Sequence, residues 1–223
     1  MLVIAEKLTK VYRRGGEDIA ALQDIDLQIE AGAFVFIVGP SGGGKSTLLH
    51  LMGGMDRPSR GKLTVNGFSI DQAGEDALTR FRREHIGFVF QFFNLLGSLN
   101  ALDNVSLPLL ANGCKPKEAR RRSVEVLKQV GLEQRLRHKP AEMSGGEQQR
   151  VAIARAVVGK PSLVLADEPT GDLDAANAEA VMQLMLELNR SLGVTFVIAT
   201  HNEALTRLGS AVYELHAGQL RGR

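Results

Sequence analysis

The chain of 223 residues holds a single cysteine, Cys114, so it can form no internal disulfide and suits a reducing compartment. No run approaches the roughly 20 apolar residues a membrane span requires, and the first residues read as a strand rather than a secretory signal. The chain is therefore expected to be soluble by itself, with any membrane role supplied through a partner. Excess charge is also scarce: 27 Lys and Arg against 25 Asp and Glu leave a formal net charge of +2. Nothing in that balance requires a nucleic-acid partner, and none is expected. The local basic clusters, Arg80 with Arg82 and Arg83 and the stretch 115–122, are broken by Glu84 and Glu118 and read as solvated helix faces. No heptad run occurs, which excludes an inserted coiled coil.

One stretch is dense in glycine. Gly39, Pro40, Ser41, Gly42, Gly43, Gly44, Lys45, Ser46 and Thr47 follow the apolar run at 34–38 and precede a second apolar run at 48–52. The order is strand, glycine-rich loop, helix, the setting that gives a G-x-x-x-x-G-K-[ST] match its mechanism. Glycines let successive backbone N–H groups point inward, and the following helix turns its positive end onto the same spot. Two or more phosphates fit such a concavity. Lys45 would reach the β- and γ-phosphates as a point charge, Ser46 would take one position on Mg²⁺, and Thr47 would lie near the α-phosphate.

The remaining chain reads as parts around that loop. Residues 2–11 and 21–30 alternate as half-buried strands about a turn at 13–16. Tyr12 either plugs the edge of that sheet or offers an aromatic face to a base. Residues 62–65 return as a strand closed by the Asn66-Gly67 hairpin signal. A polar helix at 75–85 leads to an apolar strand at 86–90, and Gln91 follows at its carboxyl end, where open α/β sheets keep their ligands. Gln91 is either an ordinary strand-end glutamine or a carbonyl donor to Mg²⁺ or water.

Helices at 101–110, split by Pro108, and at 117–130 then mark an inserted helical section. Residues 92–99 within it carry more apolar surface than a loop normally shows, for core burial or for docking another protein. Ser144, Gly145, Gly146 and Glu147 open a further helix with a capping box, Ser144 as N-cap and Glu147 at the third position. Two glycines there cost about 1 kcal/mol each as helix formers, whereas bare backbone at a helix start is an anion site. With a cradle already present at Gly39, this second tip points to a phosphate supplied from elsewhere.

The apolar strand 163–166 ends in Asp167 and Glu168, whose side chains are expected to diverge by strand alternation. Asp167 can hold Mg²⁺ through water, and Glu168 can take the proton from an attacking water. A helix with Val181, Leu184, Met185, Leu188 and Leu192 on its buried stripe follows, then a strand at 194–200 with His201 at its end, placed to touch a γ-phosphate.

The set Gly39 to Ser46, Gln91, Ser144 with the six residues after it, Asp167, Glu168, Asp174 and His201 resembles the ATP-binding cassette (ABC) ATPase subunit over essentially the whole chain. Residues 86–91, 93–95, 101–105 and 107–109 look like its lipoprotein-releasing and macrolide-export (LolD/MacB-like) branch. The resemblance implies an α/β P-loop NTPase cassette with a mostly parallel central sheet, an N-terminal antiparallel β subdomain and an inserted α-helical subdomain. It implies one domain, with 1–91 and 159–223 as nucleotide-binding core and 92–158 as the helical part. In that family's pattern Tyr12 stacks on adenine, the Gly39 loop binds ATP phosphates, Ser46 and Gln91 ligate Mg²⁺, Glu168 is the general base and His201 senses the γ-phosphate.

The pattern further implies a head-to-tail dimer in which Ser144, Gly145, Gly146 and Glu147 close on the ATP of a second copy or homologous cassette. It implies a separate integral membrane permease and a place on the cytoplasmic side of the inner membrane. A cassette serving a cell-division complex would share the nucleotide site without transporting cargo. Departures from the family's pattern are Gly43 for serine, Met143 for leucine, and Gly171 with Asp172 before Asp174. Replacement of Lys45 by Ala is expected to abolish binding at ordinary ATP concentrations, which an ATP titration of the variant checks.

Overall fold

The computed structural model describes residues 1–223, the side chain of Arg14 excepted. In chain order the strands are β1 (Val3–Arg14), β2 (Glu17–Ile29), β3 (Phe34–Val38), β4 (Arg60–Val65), β5 (Phe68–Ser69), β6 (Ile86–Phe90), β7 (Leu163–Asp167), β8 (Thr195–Thr200), β9 (Ala211–His216) and β10 (Gln219–Gly222). The helices are α1 (Lys45–Met52), α2 (Glu75–His85), α3 (Ala101–Ala111), α4 (Pro116–Gln129), α5 (Gly145–Val157) and α6 (Ala175–Leu192).

Strands without a polar face must be covered on both sides, and β3 and β8 are buried at every position. They lie inside a sheet ordered β10-β9-β3-β8-β7-β6, parallel from β9 to β6, with β10 antiparallel at one edge. Alternation then sorts its side chains. Phe34, Phe36, Phe196 and Ile198 face one core with α3 to α6, while Val35, Ile37, Val197 and Ala199 face another with α1, α2 and the second sheet. That second sheet, β2-β1-β4-β5, is antiparallel throughout.

Three expectations change. The turn between β1 and β2 shrinks to Gly15 and Gly16, because the ribbon pairs out to Arg14 and Glu17. Helix α3 runs unbroken through Pro108. The proline forfeits one helical hydrogen bond, but Leu102, Val105 and Leu109 are buried in the first core on either side of it and outweigh that loss. On α6, Met182 and Leu186 are buried, and the expected Leu184 and Leu192 are only partly so.

Helix α5 crosses the edge strand β6 so closely that a Cβ on Gly87 would stand 2.4 Å from the carbonyl oxygen of Ala156. Gly87→Ala is therefore expected to cost about 1–3 kcal/mol by overpacking. Gly159→Ala, whose Cβ would meet nothing within 4 Å, should stay within about 0.5 kcal/mol. Urea unfolding of both variants checks the contrast.

Candidate nucleotide-binding and hydrolysis site

Parallel register decides where the site lies. Phe90 pairs with Asp167, Asp167 with Ala199, and Ala199 with Ile37. One or two residues further on, Gln91, Glu168, His201 and the Gly39 loop therefore emerge in one row at the carboxyl ends of β6, β7, β8 and β3.

The loop is shaped by close backbone approach. A Cβ on Gly39 would lie 2.1 Å from the carbonyl oxygen of Leu215 in β9, so only glycine fits there. Gly44, at φ 102, starts α1, and neither a capping side chain nor an acidic residue occupies its first turn. Its N-terminal dipole is left open to an anion. The buried ammonium of Lys45 donates to the carbonyls of Gly39 at 2.8 Å and Pro40 at 3.1 Å, and lies 3.8 Å from Glu168 Oε1.

Glu168 also touches His201. Its Oε2 is 3.0 Å from His201 Nδ1 and accepts the His201 backbone N–H at 3.3 Å. Glu168 stands one residue beyond β7 at φ 46, anchored by its own N–H to the Ala199 carbonyl at 2.9 Å. It thus diverges from Asp167 through a left-handed turn, not through strand alternation. Such backbone is sparsely populated for residues other than glycine and clusters at functional sites.

Beside this trio a cavity of about 250 Å³ is lined by Ser46, Phe90, Gln91, Phe92, Asp167 and Glu168. Hydroxyl, amide carbonyl and carboxylate form the hard-oxygen donor set that suits Mg²⁺. Among the described residues no cluster of three or more His, Cys, Asp or Glu gathers. Gln91 Nε2 donates to Asp172 Oδ1 at 3.1 Å, leaving the amide oxygen available. Sequence reasoning noted Asp172 only as a departure from pattern.

Tyr12 is half-exposed on β1. The phenol donates to Asp56 Oδ2 at 2.8 Å, and Lys10, bonded to Asp56 Oδ1 at 2.6 Å, stands 4.8 Å from the ring centre. Burial holds the Tyr12 hydroxyl above its usual range, helped by the Asp56 carboxylate. Burial acts to raise Asp56 too, but hydrogen bonds from Lys10 and Tyr12 prevail and hold it low. The part that Asp56 plays in orienting Tyr12 has no local sequence signal.

Ser144 caps α5 as expected, accepting the Glu147 N–H at 3.3 Å while Glu147 Oε2 accepts the Ser144 N–H at 2.9 Å. Arg135 Nε binds the other oxygen of Glu147 at 2.8 Å. The tip packs on α6, since a Cβ on Gly146 would meet Asn177 Oδ1 at 2.9 Å. Asp174 in turn caps that helix, its carboxylate accepting the Asn177 backbone N–H at 2.9 Å and the Asn177 Nδ2 at 2.6 Å. Among the described residues, no hydrogen bond joins Ser144, Gly145, Gly146 or Glu147 to the Gly39 loop of the same chain. The structure brings together the loop, Gln91, Asp167, Glu168 and His201, and leaves the tip apart.

A family profile described as ABC transporter matches residues 22–171. The chain belongs to that family. It is therefore an ATP-binding subunit and an ATPase, with Mg²⁺ as the usual partner ion of this class. Lipoprotein-releasing system ATP-binding protein LolD of Idiomarina loihiensis is 48% identical over 219 residues, covering 98% of the chain and 96% of the relative. LolD of Legionella pneumophila (strain Lens) is 46% identical over 223 residues, 100% of the chain and 98% of the relative. Among solved structures, the ATP-binding cassette MJ0796, a post-hydrolysis dimer bound to ADP and phosphate, superposes with a TM-score of 0.91 at 43% identity, covering 99% of the chain and 97% of that one. The cassette cbiO1 of Clostridium perfringens, part of the transporter complex cbiONQ, gives 0.89 at 29% identity over 99% of the chain and 86% of its own. The expected α/β cassette fold is thereby established.

Arg135, and after it the Ser144 N–H, hold the Glu147 carboxyl below its usual range. With the folded-state pKa below the unfolded one, of about 4.3, this stabilisation is complete above that value and is lost as pH falls through the folded pKa. Glu147→Ala is expected to lose about 0.5–2 kcal/mol near neutral pH, and the deficit should shrink in acid. Thermal unfolding of wild type and variant at neutral and acidic pH checks both statements.

Proposed function

We propose that this cassette hydrolyses ATP to drive a permease built from separate membrane chains, with lipoprotein release or export as the work done. The observation that carries the reading is the interlock of Lys45, Glu168 and His201 beside a cavity that gathers Ser46, Gln91 and Asp167. In this reading 1–91 and 159–223 form the nucleotide core and 92–158 the helical subdomain. No helix among the described residues is long and apolar enough to cross a membrane. Attachment to the cytoplasmic face of the inner membrane then runs through the permease.

ATP enters with its base on Tyr12 and its phosphates over Gly39, Pro40, Ser41, Gly42, Gly43 and Gly44. Lys45 exchanges the Gly39 and Pro40 carbonyls for β- and γ-phosphate oxygens, bonds that are stronger because both partners are charged. Mg²⁺, held by Ser46 and Gln91 and through water by Asp167, would offset phosphate charge. Released from Lys45, Glu168 takes the proton of the water whose oxygen attacks the γ-phosphorus as the bond to the bridging oxygen breaks. His201 contacts the γ-phosphate and keeps Glu168 oriented.

The pocket is completed by Ser144, Gly145, Gly146 and Glu147 of a second copy. Their separation from the loop within one chain supports this, as do the dimers of the related MJ0796 cassette. Phe92 and Leu96 stand 72% and 49% exposed, and a groove of about 290 Å³ beside them is lined by Phe88, Phe90, Asn94 and Pro108. A cytoplasmic element of the permease seated there would follow the opening and closing of the dimer.

Glu168→Gln is expected to keep nucleotide binding and to cut turnover at least about 10²-fold, the low end of what a positioned base contributes. Steady-state phosphate release beside an ATP titration checks it, and unchanged turnover removes Glu168 from the role.

A further inference from the structure

The segment after Gln91 is irregular yet held at several points. Phe93 and Asn94 both take left-handed backbone, at φ 55 and 49, which needs support from outside the segment. Arg155, on the far part of α5, supplies it by donating from Nη2 to the Phe93 carbonyl at 2.8 Å and from Nη1 to the Asn94 carbonyl at 2.6 Å. Fully buried Asn104 takes over downstream, accepting the Leu96 N–H at 2.9 Å and donating to the Leu96, Leu99 and Asn100 carbonyls at 3.1 Å. A guanidinium is the group whose fixed fork can hold two successive carbonyls at once.

A second bond leaves α5 toward the other catalytic loop. Gln149, also fully buried, donates through Nε2 to the carbonyl of Pro169, next to Glu168. Helix α5 is thus tied to the loop after β6, which bears Gln91, and to the loop after β7, which bears Glu168. Its start, Ser144, lies 11 residues before Arg155, about 16 Å at the rise of a helix.

We propose that Arg155 is a positioning residue that, together with Gln149, makes α5 a strut between the two pockets of the dimer. Nucleotide that engages Gln91 and Glu168 of one subunit sets the placement of that subunit's own Ser144 tip, and hence closure over the neighbour's ATP. This rests on the two-subunit pocket proposed above. Arg155 touches neither nucleotide nor metal. Its effect is felt in how readily the second pocket closes, and not in how tightly one chain holds ATP.

The test uses Arg155→Lys and Arg155→Met in a Glu168→Gln chain, which binds ATP and turns it over slowly. Lysine keeps the charge but offers a single nitrogen, and methionine offers none. Sedimentation velocity reads the ATP concentration for half-maximal dimerisation, and a titration at low protein concentration reads ATP affinity of the monomer. The expected result is at least about a fivefold rise in the dimerisation midpoint, the lower end of measured coupling between sites. It should be larger for Met than for Lys, with monomer affinity held within about twofold.

An unchanged midpoint in folded variants overturns the role of Arg155 and leaves the two-subunit pocket standing. Failure of the Glu168→Gln parent to dimerise with ATP overturns the pocket itself, and the strut with it. Should both variants fail to fold, hydrogen exchange on the Glu168→Gln parent at concentrations below dimerisation decides. The strut requires ATP to change protection at 92–96 and at 144–149 together, and a change confined to 92–96 overturns it.

Discussion

In-register pairing of β6, β7, β8 and β3 is the constraint from which the site follows. Because Phe90, Asp167, Ala199 and Ile37 stand side by side, four loops far apart in sequence begin at one height. Gln91, Glu168, His201 and Lys45 are delivered to a single edge without any of those loops having to be long. Strands β3 and β8 are buried on both faces, so a one-residue slip would exchange the side chains of two cores. Stability and placement of the chemistry are therefore the same requirement.

Lys45 shows how such a site stays folded before its ligand arrives. A buried ammonium carries several kcal/mol of desolvation cost, and here two backbone carbonyls and the Glu168 carboxylate offset it. Those carbonyls are neutral acceptors, so phosphate oxygens are the better partners. Glu168 is likewise held on two sides, its Oε1 3.8 Å from the Lys45 ammonium and its Oε2 3.0 Å from His201 Nδ1.

Features with a local cause were legible in the sequence. The helix Glu75–His85, the strand Ile86–Phe90 ending at Gln91 and the Ser144–Glu147 capping box each follow from spacing within a few residues, and each stands as read. What sequence spacing could not supply are partnerships across long separations. Asp172 holds Gln91 across 81 residues, Asp56 holds Tyr12 across 44, and Arg155 holds Phe93 across 62. The left-handed turn at Glu168 is equally silent, because it is fixed by Ala199 on the next strand. Pro108 misled for the opposite reason: its local signal is strong, and burial on both sides overrode it.

The Lys45 ammonium, folded back on Gly39 and Pro40, is already spoken for in the resting chain. The Ser144 tip differs, since its capping bonds engage Ser144 and Glu147 and, among the described residues, give the N–H groups of Gly145 and Gly146 no partner. One half of the proposed joint must let go of old companions before it can act, and the other waits with open hands. That asymmetry gives the cycle a direction: loading comes first, embrace second, and an empty pair has little reason to cling.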